Sequence, residues 1–230
     1  MSLTTLGERL ADLDARIADA SRSAGRDPRE LTRIVVTKFH PASLVAELSD
    51  LGVRDVGESR QQELAAKRNE LADMPGLSWH FVGQVQTKKA RSVRSGADVV
   101  HSVDRERLAD ALHAADPEGR PLPVLLQVNL TDDPQRGGVC ASGLLPLAVH
   151  VLESCPSLRL HGVMAVAPLG EEPASAFARV AEMSASLRTV APDATWISAG
   201  MSGDFADAIA AGATHLRIGT AITGPRAVPG

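Results

Sequence analysis

The sequence predicts an α/β fold, a single (β/α)8 barrel of the TIM type with an additional N-terminal helix. Three observations lead there. Short apolar segments recur eight times along 230 residues, and helical periodicity fills the intervals between them. Neither G-x-G-x-x-G after the first strand nor G-x-x-x-x-G-K-[ST] anywhere is present, so the phosphate loops of open nucleotide-binding sheets are missing. Strands that alternate with crossover helices run parallel, and a barrel of eight such units occupies about 250 residues.

The elements follow in order. Residues 1 to 26 read as a helix whose apolar stripe is Leu3, Leu6, Leu10, Leu13 and Ile17. "RIVVTKFHP" at 33 to 41 opens with the β-branched run Ile34, Val35, Val36 and Thr37, a buried strand that finishes in Lys38 with Pro41 close behind. The further strands are "VRDVG" from 53, "SWHFVG" from 78, "ADVVHSV" from 97, "PVLLQVNL" from 123, "LRLHGVMAV" from 158, "TWISAG" from 195 and "THLRIGT" from 214. Helical spacing is plain in Leu144, Leu147, Ala148, Val151 and Leu152, and again in Phe177, Val180, Ala181 and Leu187. Too little chain follows the eighth strand for a full eighth helix, so the N-terminal helix is expected to cover that gap. No linker or repeat divides the chain, and residues 1–230 are expected to form one domain.

A net charge of -4 gives no global reason to bind nucleic acid or an anionic membrane. The cluster "KKARSVR" at 88 to 94 reads as a solvated helix face. Cys140 and Cys155 are too few for a disulfide scaffold or a four-cysteine zinc site, and no His or Cys spacing suggests a metal. Free thiols suit a reducing cytoplasm. No apolar run has the length of a membrane span, residues 1 to 26 lack the apolar centre of a secretion signal, and Glu8, Asp12, Asp14 and Asp19 argue against a transit peptide.

In such barrels the site is built at the C-terminal strand ends, often with a phosphate held after strands seven and eight. Those ends offer Lys38, then Gly57, Glu58 and Ser59, then Gly83, Gln84 and Gln86, then Ser102 and Asp104, then Asn129, then Met164 and Ala165. Strand seven adds "SAGMS", with Ser198, Gly200, Met201 and Ser202, and strand eight adds "RIGT", with Arg217, Gly219 and Thr220. "SAGMSGDF" is a Gly- and Ser-rich turn entering a helix with Phe205 and Ile209 on its apolar face. Gly219 permits close backbone approach, and the Thr220 hydroxyl adds a donor. Together these have the composition of a phosphate cup. A lysine facing it, with burial freeing its amine to attack a carbonyl, suits a ligand carrying both an aldehyde and a phosphate. Pyridoxal 5'-phosphate (PLP) fits that description, with Arg217 in reach of either its phosphate or its pyridine nitrogen.

Other polar residues read structurally. By position His80 and His101 are candidates for a second base, but they read first as packed, hydrogen-bonded strand histidines, and His40 reads as a loop residue. Glu58 and Asp104 could form a carboxylate pair, although Asp104 reads first as the N-cap of "DRERLADAL".

The motifs "VVTKFHP", "VGESRQQE", "WHFVGQVQTKK", "HSVDR", "QVNL", "GVMAV", "ISAGMSGDF" and "LRIGTAITG" resemble, in matching order along nearly the whole chain, the pyridoxal phosphate homeostasis proteins of the YggS/PROSC type. That family is similar to the barrel domain of alanine racemase. The resemblance implies that Lys38 carries PLP as an internal aldimine, the Schiff-base lysine. Ser198, Gly219 and Thr220 would hold the phosphate, with Gly200, Met201 and Ser202, while Arg217 would face the pyridine nitrogen. Two departures stand out: Ser59 and Arg60 replace the family's usual Asn-Tyr, and Thr87 and Lys88 replace its Ser-Asn.

Holding PLP does not imply catalysis. The chain contains no tyrosine, so the tyrosine base of alanine racemase has no counterpart, and the second domain that supplies it is absent. A guanidinium facing the pyridine nitrogen disfavours its protonation, which weakens the ring as an electron sink. The expected function is therefore non-catalytic binding and release of PLP in vitamin B6 homeostasis, in the cytoplasm, with PLP-dependent apoenzymes as partners and no nucleic acid or membrane. The alternatives are a PLP-dependent racemase or decarboxylase and a Schiff-base aldolase on a phosphorylated sugar. The first helix's stripe leaves a monomer or a weak homodimer open.

Overall fold

The structure, a computed structural model, describes residues 4–133 and 136–224. Eight parallel strands close into one barrel in sequence order. They are β1 (Thr32–Val36), β2 (Asp55–Glu58), β3 (Ser78–Phe81), β4 (Val99–Val103), β5 (Leu122–Gln127), β6 (Leu158–Met164), β7 (Trp196–Ser198) and β8 (His215–Ile218). Closure is made by β1 against β8, with Thr32 beside His215 and Val35 beside Ile218. All eight expected strands are present.

The helices are α1 (Leu6–Ser23), α2 (Ala42–Asp50), α3 (Gln61–Glu70), α4 (Ala90–Gly96), α5 (Glu106–Ala115), α6 (Leu144–Ser154), α7 (Pro173–Leu187), α8 (Phe205–Ala210) and α9 (Thr220–Thr223). The last is a single turn, too short to cover β8. Instead α1 packs against α8 and α9, as the sequence led us to expect. Its start is held by a capping box, Thr5 Oγ1 accepting from Glu8 N–H and Glu8 accepting from Thr5 N–H. Leu6, Leu10, Leu13 and Ile17 are buried, while Leu3 lies outside the described residues. The stripe therefore faces the barrel. Arg9 Nε donates to Ile222 O at 2.6 Å and Arg26 Nη1 to Ala213 O at 2.7 Å, tying α1 to the closing elements.

Alternation along each strand separates two interiors. Residues such as Val35, Val56, Phe81, Val100, Leu126, Val163 and Leu216 join the helices in the main apolar core. Val99, Leu125 and Met164, with Trp196, form a small separate cluster. Beside it the barrel is polar: His80, His101, Ser198, His215 and Arg217 are all buried.

Two local expectations are corrected. The basic cluster is not a uniformly solvated face, because Arg94 is buried and donates to Arg120 O at 2.7 Å and Asp116 O at 3.2 Å. Packing of α4 against α5 puts unpaired carbonyls within its reach, which the linear charge pattern does not reveal. Asp104 does not cap α5. Arg105 holds that position without a side-chain bond, while the Asp104 carboxylate pairs with Arg105 and accepts from Gly138 N–H at 3.4 Å.

Candidate functional site

Strand β1 stops at Val36, so Lys38 sits in the turn that follows rather than on the strand. His40 N–H donates to Thr37 O at 3.1 Å and closes that turn. It places Phe39 at φ 68°, a left-handed conformation that costs a non-glycine residue about 1–2 kcal/mol. The surroundings hold it there. Phe39 N–H donates to Glu63 Oε2 at 2.7 Å, and the Arg60 guanidinium lies 4.5 Å from the Phe39 ring centre. Arg60, at the start of α3, thus braces the lysine turn.

A buried ion pair lies under the turn. Glu58 Oε1 accepts from Lys67 Nζ at 2.6 Å and from Thr37 Oγ1 at 2.7 Å, and Lys67 Nζ also donates to Thr37 O at 2.8 Å. Burial pushes the Glu58 carboxyl up, opposed by its bonds to Lys67 and Thr37. Glu58 and Asp104 are therefore not a pair, since each has its own partner. Neither Lys67 nor Glu63 is a site candidate in the sequence; their partners, Glu58 and the Phe39 N–H, are reached only when α3 packs beside the turn.

Above this support opens a cavity of about 490 Å³ at the C-terminal strand ends. It is lined by Val36, Lys38, Ser59, Val82, Gly83, Val166, Met201, Ser202, Gly203, Arg217, Gly219 and Thr220. Six expected residues meet here: Lys38, Met201, Ser202, Arg217, Gly219 and Thr220. Among the described residues that line it, Lys38 and Arg217 are the ionisable side chains, and both are basic. Burial pulls Arg217 down to about 10, which leaves it protonated at neutral pH. The N–H groups of Ser202, Gly203, Thr220 and Ala221 have no acceptor among the described residues, an arrangement that suits an anion. Met201 N–H is already taken by Asp204 Oδ1 at 2.6 Å.

Ser198 and Gly200 do not line the cavity. Ser198 is fully buried, its Oγ accepting from Arg217 Nη1 at 2.7 Å and lying 2.9 Å from His101 Nδ1. Gly200, at φ 91°, turns toward α8, where a Cβ would come within 2.7 Å of Ala208 Cβ, and its carbonyl accepts from Arg217 N–H at 3.0 Å. Both shape the floor beneath Arg217, whose Nη2 donates to Ala165 O at 2.8 Å. Gln84 and Gln86 line a neighbouring groove instead, and Asn129 folds onto its own loop, accepting from Thr131 N–H at 2.9 Å. Outside the barrel Asp110, His150 and Cys155 converge within 4.8 Å, a grouping with no counterpart in sequence spacing; Asp110 Oδ1 and His150 Nε2 are 2.6 Å apart.

Gly83 makes the cavity wall possible. A Cβ there would lie 2.2 Å from Ser59 O, so the loops after β2 and β3 touch through backbone alone. Gly83→Ala is expected to destabilise the protein by about 1–3 kcal/mol through this overlap. Denaturant unfolding measures it, and an unchanged midpoint would show that the loops separate freely.

Fold and cavity define a (β/α)8 barrel protein with a small-molecule site at the carboxyl ends of its strands. The chain belongs to the family described as alanine racemase, N-terminal domain, which matches residues 9–227. Within it, the chain is 41% identical over 228 residues to the pyridoxal phosphate homeostasis protein of Pseudomonas aeruginosa, covering 97% of each. It is 39% identical over 230 residues to the protein of that name from Escherichia coli K12, covering 97% of this chain and 98% of the other. Among solved structures it is similar to PipY of Synechococcus elongatus PCC7942 with PLP bound. The TM-score is 0.83 at 36% identity, over 96% of this chain and 100% of that one.

Proposed function

We propose that this protein binds PLP and serves intracellular vitamin B6 homeostasis, holding the cofactor at Lys38 and releasing it without turning over a substrate. The observation that carries this reading is the cavity itself: Lys38 and Arg217, backbone N–H groups without an acceptor, and no carboxylate among the described residues that line it. The names of the relatives, and PLP bound in PipY, point the same way. When bound, PLP supplies an aldehyde that condenses with the Lys38 amine, releasing one water, and hydrolysis reverses the link. Ser202, Gly203, Gly219 and Thr220 hold the phosphate through hydroxyl and N–H groups, with Met201 beside them. Arg217 faces the pyridine nitrogen. Ser198 and Gly200 contribute through Arg217 rather than by contact.

The same lining supports a non-catalytic role. The sequence has no tyrosine, and the described residues that line the cavity offer no ionisable group besides Lys38 and Arg217 to serve as a second proton-transfer group. PLP-dependent apoenzymes are the recipients. Residues 1–230 act as one domain in the cytoplasm, as a monomer or weak homodimer. Among the described residues no helix is long and apolar enough to cross a membrane.

The test is an absorption spectrum before and after PLP and then borohydride. The expected result is a visible band that borohydride fixes covalently and that Lys38→Ala cannot form. No band in the parent at excess PLP overturns the reading, and exchange of an amino acid's α-proton overturns its non-catalytic part.

A further inference from the structure

Behind Arg217 a line of buried polar groups crosses the barrel from β8 to the start of β2. Arg217 Nη1 is 2.7 Å from Ser198 Oγ, Ser198 Oγ is 2.9 Å from His101 Nδ1, His101 Nε2 is 2.9 Å from His80 Nδ1, and His80 Nε2 is 3.0 Å from Asp55 Oδ1. Only Asp55 reaches solvent appreciably, its side chain being 32% exposed. His80 also has Ser78 Oγ at 3.2 Å from Nε2.

The chemistry of the ends sets the direction of every proton between them. A guanidinium only donates, so Ser198 Oγ accepts from it. The hydroxyl keeps one hydrogen, and its other partner among the described residues is His101 Nδ1, so Ser198 donates there. Burial holds His101 neutral, assisted by the nearby His80, His215 and Arg217. A neutral ring whose Nδ1 accepts carries its proton on Nε2 and donates it to His80 Nδ1. His80 then carries its own proton on Nε2, facing the Asp55 carboxylate. All four hydrogen bonds point from Arg217 to Asp55, and bonds aligned head to tail polarise one another. A proton on His80 Nδ1 would set two donors face to face, and one on His101 Nδ1 would leave the Ser198 hydroxyl hydrogen without an acceptor among the described residues.

We propose that Asp55, at the start of β2, and His80, within β3, are positioning residues for Arg217. Through this one-directional chain they keep Ser198 an acceptor and so hold the guanidinium at the cavity floor. Around His80 the charged and titratable neighbours are Asp55 from β2, His101 from β4 and, farther away, His215 from β8; among the described residues Asp55 supplies the negative end. The tautomers do not depend on what the cavity binds. The effect on ligand affinity rests on the PLP reading above.

The experiment is long-range ¹H–¹⁵N spectroscopy of the whole chain labelled at histidine, with no ligand, followed by PLP titration by absorption. The parent is expected to show both His80 and His101 protonated on Nε2, and a proton on Nδ1 of either overturns the chain. Asp55→Asn, which offers both a donor and an acceptor, is expected to mix the His101 tautomers two hydrogen bonds away; an unchanged His101 signal overturns the coupling. His80→Phe is expected to weaken PLP binding about 2–10-fold, the worth of one ordinary hydrogen bond, with unaltered affinity overturning the positioning role. A parent that binds no PLP removes the functional reading while the tautomer result stands or falls on its own.

Discussion

Lys67→Met is expected to lower the stability of the protein by about 3–5 kcal/mol at neutral pH, the range for breaking a buried ion pair from one side. The substitution leaves the Glu58 carboxylate, 0% exposed, with Thr37 Oγ1 as its remaining partner. Glu58 escapes by taking up a proton, the direction in which burial already pushes its carboxyl. Loss of the Lys67 bond to Thr37 O adds to this. The sign of the pH dependence follows. A carboxyl raised in the folded state makes folding bind a proton, so the variant's stability rises as pH falls from 7 toward 4.5. Replacing both partners, Glu58→Leu with Lys67→Met, is expected to recover most of the loss. Denaturant unfolding at pH 7 and pH 5 checks the set. A variant within about 1 kcal/mol of the parent would mean that water reaches Glu58, and the lysine turn would need another support.

Acid lability should centre on the histidines inside the barrel. Burial lowers His215 to about 3, helped by nearby His80, His161 and Arg217 and opposed by Asp55. Its ring stacks on Trp196 at 4.3 Å between centres, and Trp196 stacks on His161 at the same distance. The unfolded chain binds the proton that the folded ring refuses. The stabilisation is therefore complete above about pH 6.5 and is lost as pH falls toward 3. Between pH 6.5 and 4 that amounts to about 3 kcal/mol for His215, and His101, shifted in the same direction, adds to the slope. His215→Phe keeps an aromatic ring against Trp196 and leaves the Thr214 hydroxyl bonded to the Ile197 backbone. It is expected to reduce the pH dependence of unfolding by one proton's worth, up to about 1.4 kcal/mol per pH unit. A variant with the parent's slope would place the acid-sensitive step elsewhere.

Much of this molecule was legible before any coordinates. Strand positions followed from β-branched runs such as Ile34 to Thr37, helix faces from spacings such as Leu6, Leu10 and Leu13, and the phosphate-cup composition from Gly219, Thr220 and the turn after Ser198. These are local signals, carried by residues within one or two turns of each other, and backbone sterics and period alone express them. Lys38, Met201, Ser202, Arg217, Gly219 and Thr220 could be placed together because parallel strands in a barrel bring all their carboxyl ends to one rim.

Partner choice inside the barrel was not legible. Ser198 reads as a ligand contact from its turn, but its side chain points under Arg217. His80 and His101 read as strand histidines, yet nothing in their spacing says that they bond to each other and to Ser198, 97 residues beyond His101. Arg94 reads as part of a solvated basic face, and nothing in the sequence marks Lys67 as the partner of Glu58. The sequence by itself determined the order of the elements, their apolar faces and the rim on which the cavity lies. Only the tertiary structure decided which buried donor meets which acceptor, because strand register and barrel closure, set by the sum of all strand pairings, fix distances that no single segment encodes.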